Sequence, residues 1–324
     1  MIGILGAGAW GTALAQTIAS DGTQVLLWAY EPDVVASINE ARENPVYLRG
    51  RGLSDAIRAT GDLAALAACD LLLVVPPAQH LRGLLAQVGG HAPRILCAKG
   101  IEAGSGMLMS EVAADVAAGA PIAVLSGPTF AHEVAAGLPT AITLACEDEA
   151  LGCDLAMRIA RPAFRPYFSS DVVGAEIGGA VKNVLAIACG VVDGAGLGQN
   201  ARAALIGRGF AEMTRFGLAR GARAETLAGL SGLGDLVLTC SSTSSRNFSL
   251  GKGLGEGRSA ASLLADRRTV AEGASTAPVL AKAARKVGVD MPNVDAVCAL
   301  LAGQIAVQDV VDRLLARPLR RERD

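Results

Sequence analysis

Apolar residues fall along this chain in two regimes. Through the first half, short apolar runs recur with turn residues between them, at residues 2–5, 24–29, 70–75, 94–98, 122–125, 141–145 and 163–169. Runs this short, apolar on both faces, predict buried strands of a largely parallel sheet of seven or eight strands. Residues 12–20 follow the first run with helical spacing, and residues 42–60 form an irregular excursion containing Gly and Arg. From Glu176 onward the texture changes to Ala-rich segments with helical period, at 176–192, 201–219, 223–229, 259–265, 275–287, 293–303 and 306–316, joined by Gly-rich breaks. The pattern therefore predicts an α/β domain over residues 1–171 followed by an all-α domain over residues 172–324.

Composition sharpens this picture. With 324 residues the chain is long enough for two domains, each with its own core. Its 51% hydrophobic content, 3% aromatic content and 39 glycines favour close helix packing and tight βα turns over an aromatic-rich sandwich. A formal charge of −2 gives no general attraction to nucleic acid or anionic lipid. The basic end, Arg317, Arg320, Arg321 and Arg323, is diluted by Glu322 and Asp324 and reads as a solvated tail. Seven cysteines without a Cys-x-x-Cys pair, and three histidines, predict neither a disulfide framework nor a metal centre. A reducing cytoplasm fits best. Residues 1–20 are uncharged, but no basic residue precedes them and glycines at 3, 6, 8 and 11 interrupt them, so no signal peptide is expected. Charges, Gly and Pro break the other apolar runs, and no membrane insertion is expected.

Chemistry concentrates in a few stretches. Gly6-Ala-Gly8-Ala-Trp10-Gly11 lies between the first strand and the first helix. Glycines there permit a tight turn and close approach of a pyrophosphate to a helix N-terminus, which is the dinucleotide-binding arrangement. Glu31 stands 20 residues beyond Gly11. It either takes the ribose hydroxyls or opens the next helix, with Pro32 at the first helical position. Trp28 and Tyr30 beside it could flank an adenine, and no arginine is present there for a 2′-phosphate. Lys99-Gly100 and Ser126-Gly127-Pro128-Thr129-Phe130-Ala131 come at the carboxyl ends of strands, where open α/β sheets bind ligands. His132-Glu133 carries no metal reading, because adjacent helical residues point apart. Gly194-Ala-Gly-Leu-Gly198 reads as a helix end, with Asn200 capping the next helix.

Lys182 has Gly178 and Gly179 one turn before it and Leu185 and Ala186 one turn after. Such surroundings fit a desolvated lysine suited to proton transfer, or else a snorkelling lysine at a domain interface. Asp235, in a Gly-rich apolar run, is a partner that would keep Lys182 charged and oriented. Ser241-Ser-Thr-Ser-Ser245 leads into Arg246 and Asn247. Short hydroxyl donors beside a guanidinium fork suit a phosphate dianion, although a Ser-rich stretch also makes a flexible loop.

With Gly178-Gly-Ala-Val-Lys-Asn183, Gly232-Leu-Gly-Asp-Leu-Val-Leu-Thr-Cys240, Ser245-Arg-Asn247 and Glu272-Gly273 added to the stretches above, the chain resembles bacterial NAD(P)-dependent glycerol-3-phosphate dehydrogenase almost end to end. The resemblance implies a Rossmann-type domain followed by a helical one, commonly assembled as a homodimer. It implies reversible hydride transfer between NAD(P)H and dihydroxyacetone phosphate, giving the sn-glycerol 3-phosphate used in phospholipid synthesis. It makes Lys182 the proton donor and acceptor and sets Asp235 against the substrate. Glycerol phosphate would be held by Lys99, Gly127, Thr129, Ser245, Arg246 and Asn247. Ala9, Trp10, Tyr30, Lys99, Ala131, Arg246 and Glu272 fall at cofactor positions, beside the fingerprint residues Gly6, Gly8 and Gly11. Asn183 and Thr239 fall at polar site positions. Tyr30 stands where many members carry His or a basic residue, so either NAD or NADP remains open as cofactor. A 3-hydroxyacid dehydrogenase of similar architecture, and a nucleotide-sensing module without turnover, are the competing readings.

Overall fold

A computed structural model describes residues 1–117, 119–265 and 271–310. The basic tail and residues 311–316 of the last expected helix lie outside these described residues. Among the described residues ten strands are formed: β1 (Ile2–Leu5), β2 (Val25–Trp28), β3 (Glu43–Asn44), β4 (Leu48–Gly52), β5 (Ile57–Thr60), β6 (Leu71–Val74), β7 (Arg94–Leu96), β8 (Ile122–Ser126), β9 (Thr140–Ala145) and β10 (Phe164–Ser169). Eight of them make one sheet in the order β10-β9-β8-β7-β6-β1-β2-β5. Its neighbours run parallel except β8 and β9. Each expected strand is present. The eighth, β5, comes from the excursion read as irregular, because an edge strand buries one face only and Arg58 interrupts its apolar pattern.

Helices α1 (Ala9–Ile18), α2 (Pro32–Glu40), α3 (Leu81–Leu85), α4 (Met109–Val116), α5 (Ala131–Ala135) and α6 (Glu149–Ile159) connect these strands. Antiparallel β3 and β4 form a hairpin that folds back over the glycine-rich turn. Buried Asn44 donates from Nδ2 to Ala7 O (2.9 Å) and to Thr12 Oγ1 (2.8 Å), holding both ends of that turn.

After Ser169 the described residues form helices: α7 (Val172–Gly194), α8 (Gly198–Ala219), α9 (Ala224–Ala228), a π-turn at Leu230–Gly234, α10 (Asp235–Thr239), α11 (Arg246–Gly255), α12 (Ala260–Leu263), α13 (Glu272–Lys286) and α14 (Pro292–Leu301). Helix α7 begins four residues earlier than its periodicity indicates, because Asp171 caps it by accepting from Gly174 N at 2.8 Å. Asn200 does not cap α8. The helix already starts at Gly198, and Asn200 falls inside its first turn.

Contrary to the expectation that every apolar run is broken, α7 is long and apolar enough to cross a membrane. Its apolar window is 94% buried, however, by the helices packed around it and by the sheet edge. Burying a Leu, Ile or Val side chain is worth about 1.5–3 kcal/mol, so this helix is the principal core element of the second half. A second helix, α11, was not foreshadowed by the Ser-rich stretch. It crosses α7 through glycines on both sides: a Cβ on Gly190 would lie 2.0 Å from Phe248 O, and one on Gly251 would lie 1.9 Å from Ile187 O.

Candidate active site

The glycine-rich turn has the geometry its sequence anticipates. Gly6 has φ +116°, a Cβ on Gly11 would lie 1.8 Å from Gly6 O, and Gly8 faces open space. Ala9 and Trp10 open α1, and the Trp10 indole N–H is buried with no hydrogen-bond partner. An orphaned donor next to free helix N–H groups and a glycine with nothing in front of it suits the ribose and phosphate oxygens of a dinucleotide. The residues present therefore fit NAD(P).

The adenosine end departs from expectation. Trp28 is only 7% exposed and donates from Nε1 to Gly61 O at 3.1 Å, so it cannot flank an adenine. Tyr30 is 81% exposed and meets Trp28 edge-on. Glu31 precedes Pro32 at the start of α2, and it also accepts from the Tyr47 hydroxyl at 2.6 Å. Neither Asn44, which bonds the glycine-rich turn, nor Tyr47, which bonds Glu31, is marked in the sequence, because nothing local shows what an irregular excursion will meet.

At the carboxyl edge of the sheet, Asp235 is fully buried between two ammonium groups. Lys182 Nζ donates to its Oδ1 (2.8 Å) and to Thr239 Oγ1 (2.8 Å); Lys99 Nζ donates to its Oδ2 (2.7 Å) and to Gly127 O (3.2 Å). Thr239 in turn donates to Asp235 Oδ1 (3.1 Å), one helical turn away. Lys182 is only 6% exposed, which removes the snorkelling alternative. The close approach at its glycines is real: a Cβ on Gly179 would meet Ser126 Oγ at 2.8 Å and Lys99 Cγ at 3.3 Å, and one on Gly178 would meet Ser231 O at 2.3 Å.

The electrostatics follow from this packing. Burial pushes the Lys182 ammonium down to about 8; Asp235 opposes the shift and Lys99 adds to it. Burial pushes the Asp235 carboxyl up, but the charges of Lys182 and Lys99 outweigh it, so its pKa ends below the ordinary carboxylate value. An ammonium has three donors, and each lysine spends two of them on the groups named above. Each therefore keeps one N–H for a ligand.

The remaining residues form an outer arc. Gly127, where a Cβ would meet Ile142 Cγ1 at 3.0 Å, and Thr129, whose hydroxyl donates to Gly127 O at 3.4 Å, follow β8, with Ala131 opening α5. Ser245 caps α11 by accepting from Phe248 N (3.2 Å), which leaves its proton to donate elsewhere. Arg246 is exposed in the first turn of α11 and makes no hydrogen bond among the described residues. Asn247 is buried, donating to Asn183 Oδ1 (2.9 Å) and accepting from Gly273 N (2.9 Å). Glu272 opens α13; burial raises its carboxyl pKa, and the charge of Arg246 acts against that rise. Lys99, Lys182 and Asp235 thus converge directly, while Arg246 joins them through α11 and the Asn247–Asn183 contact. His132 stacks on Phe130, and no group of three metal-ligating side chains occurs among the described residues.

A dinucleotide turn at one strand end and a desolvated lysine–aspartate–lysine cluster at others define a nicotinamide-nucleotide-dependent dehydrogenase built from a sheet half and a helical half. Two family models match the chain: the NAD-dependent glycerol-3-phosphate dehydrogenase N-terminus over residues 1–152, and the C-terminus of the same family over residues 171–312. A glycerol-3-phosphate dehydrogenase [NAD(P)+] of Erythrobacter litoralis is 66% identical over 325 aligned residues, covering 100% of this chain and 98% of that one. Another, from Sphingopyxis alaskensis, is 64% identical over 321, covering 99% and 97%. The crystal structure of glycerol-3-phosphate dehydrogenase from Coxiella burnetii superposes with a TM-score of 0.93 at 40% identity, covering 98% of each chain. The chain belongs to the NAD-dependent glycerol-3-phosphate dehydrogenase family.

Proposed function

We propose that Lys182 is the proton donor and acceptor of this enzyme, with Asp235, Lys99 and Thr239 holding it in place. The chain is an oxidoreductase that interconverts dihydroxyacetone phosphate and sn-glycerol 3-phosphate with NAD(P)H, supplying glycerol 3-phosphate for phospholipid synthesis. The observation that carries the assignment of Lys182 is the shared carboxylate: two ammonium groups on opposite oxygens of buried Asp235.

When bound, the nicotinamide supplies the hydride. The protein does the rest. Lys182 directs its remaining N–H at the substrate carbonyl oxygen and gives up a proton as negative charge develops there, in a site too dry to solvate it otherwise. Lys99 keeps Asp235 neutralised once Lys182 has become an amine. In the reverse direction neutral Lys182 takes the proton of the substrate hydroxyl. Thr129, Ser245, Arg246 and Asn247 hold the phosphate, Arg246 by its guanidinium fork, so that binding energy far from the reacting carbon orients it. Gly6, Gly8, Ala9, Trp10, Gly11, Tyr30, Ala131, Arg246 and Glu272 line the cofactor. In this reading residues 1–171 form the nucleotide-binding domain and residues 172–324 the catalytic one. The enzyme works as a homodimer in the cytoplasm, which sedimentation of the purified protein and cell fractionation would check.

Absorbance of NADH and of NADPH is followed with dihydroxyacetone phosphate, dihydroxyacetone or a 3-oxo acid as substrate. Turnover is expected with the phosphorylated ketone, and Lys182→Ala should lower kcat by about 10²–10⁴ while cofactor binding persists. Equal turnover of the 3-oxo acid would instead favour the hydroxyacid reading, and an active Lys182→Ala would remove the assigned role.

A further inference from the structure

We propose that Glu176 is a positioning residue for the reaction, tying the helix that carries Lys182 to the sheet half of the molecule through the N-terminus of α4. This rests on the role assigned to Lys182. Glu176 is 5% exposed. Its Oε1 accepts from Ser110 N (2.8 Å) and its Oε2 from Ser110 Oγ (2.5 Å), in the first turn of α4. A helix start leaves backbone N–H groups without intrahelical partners. Glu111 takes that of Leu108 at 2.6 Å, and Glu176 takes that of Ser110 from across the boundary between the halves.

The other polar side chains of α7 bond elsewhere: Lys182 to Asp235, Asn183 to Asn247 and Asp193 to Lys252, all within the helical half. Glu176 bonds across to α4. Glu176, Gly179 and Lys182 lie at i, i+3 and i+6, along one ridge of the helix and about 9 Å from end to end. In the middle of that ridge Gly179 touches Ser126 and Lys99 but has no side chain to fix the register. The direct directional contact is at the Glu176 end, whereas the Lys182 end reaches Lys99 only through Asp235. A buried carboxylate is a poor stabiliser compared with an apolar side chain of similar volume, and burial raises this one to about 7, with the Ser110 bonds opposing. What it supplies is geometry, since two bonds to one residue define both the position and the rotation of α7.

Catalytic groups displaced by about 1 Å lose on the order of 100-fold in rate. The test compares Glu176→Ala, Glu176→Gln, Ser110→Ala, the Glu176→Ala/Ser110→Ala double variant and Lys182→Ala, measuring kcat, KM for both substrates and Tm. Glu176→Ala should lower kcat by about 10–100-fold at a temperature where it is folded, with KM for NADH within about twofold of wild type. Glu176→Gln should restore most of the rate, because its amide oxygen accepts Ser110 N–H and its amide nitrogen donates to Ser110 Oγ. Ser110→Ala should lower kcat severalfold, and the double variant should be no worse than Glu176→Ala. Wild-type kcat in Glu176→Ala, with or without a lower Tm, overturns the proposal. Should Glu176→Ala not fold, wild-type kcat in Ser110→Ala overturns it, as does a Glu176→Gln no faster than Ser110→Ala. An active Lys182→Ala would instead refute the role on which the proposal stands, so the two failures are distinguishable.

Discussion

The decisive residue is an ammonium made easy to deprotonate without being left uncharged. Burial lowers Lys182 to about 8, and Asp235 prevents a larger fall. In the role proposed for it, the lysine is below that value the acid that reduction needs and above it the base that oxidation needs. kcat/KM for dihydroxyacetone phosphate should therefore fall as pH rises through about 8, and kcat/KM for glycerol 3-phosphate should rise through the same region, in pH–rate profiles taken in both directions. Asp235→Asn removes the opposing charge, so burial and Lys99 should move both limbs to lower pH, provided the variant binds substrate. An unmoved profile would show that another group titrates. Arg246 stands apart from this cluster and is exposed, so Arg246→Ala should raise KM for the phosphorylated substrate more than it changes NADH binding, as steady-state kinetics would reveal. Of these residues, Lys182, Asp235 and Arg246 were legible from their neighbours in sequence. That Lys99 shares Asp235 was not, since 136 residues separate them and no local pattern encodes their meeting.

Among elements, the α7–α11 crossing shows tertiary packing overriding local propensity. Helix α11 contains Gly251 and Gly253, each costing about 1 kcal/mol relative to alanine in a helix interior, ends on Gly255 and follows five hydroxyl residues. The stretch therefore reads as a loop. It is helical because Gly251 and Gly255 lie against the backbone of Ile187 and Val191, where a Cβ would come within 1.9 and 2.4 Å of their carbonyl oxygens. Gly251→Ala must push the helices apart, so it should destabilise by about 1–3 kcal/mol or more in denaturant unfolding and raise KM, because Ser245, Arg246 and Asn247 ride on the same helix. Gly207 is the contrasting case: exposed inside α8, with nothing within 4 Å of a Cβ. Gly207→Ala should stabilise by about 0.5–1 kcal/mol. Helix α7, by comparison, is visible in sequence as a long apolar run of small residues whose lysine has glycines one turn before it and Leu185 and Ala186 one turn after. Its start lies four residues before that pattern begins, because Asp171 caps it from outside.

Across the whole molecule, a buried carboxylate far from the reacting groups sets a pH dependence of stability. Glu212 on α8 accepts from Asn293 N and, at 2.8 Å, from Asn293 Nδ2 at the start of α14. Burial raises it from 4.5 to about 7; the Asn293 backbone bond and Arg215 oppose the shift, and Asp290 adds to it. A raised folded-state value means the contribution is fully present below about 4.5 and is lost as pH rises through about 7. Glu212→Gln keeps an oxygen for both Asn293 donors and never ionises. It should exceed wild type in stability by roughly 3 kcal/mol at about pH 8.5, with the gap closing near pH 5, in denaturant midpoints. The sequence by itself determined the division into a sheet half and a helical half, the dinucleotide turn, and the lysine, aspartate and arginine to which the proposed chemistry is assigned. Each is written in residues close enough along the chain to share a strand, a turn or a helix face. Only the tertiary structure decided that Asp235 joins two lysines, that Asn44 folds over the dinucleotide turn, and that Glu176 reaches α4. Those contacts join segments dozens of residues apart, and their geometry is fixed by how whole elements pack rather than by any local period.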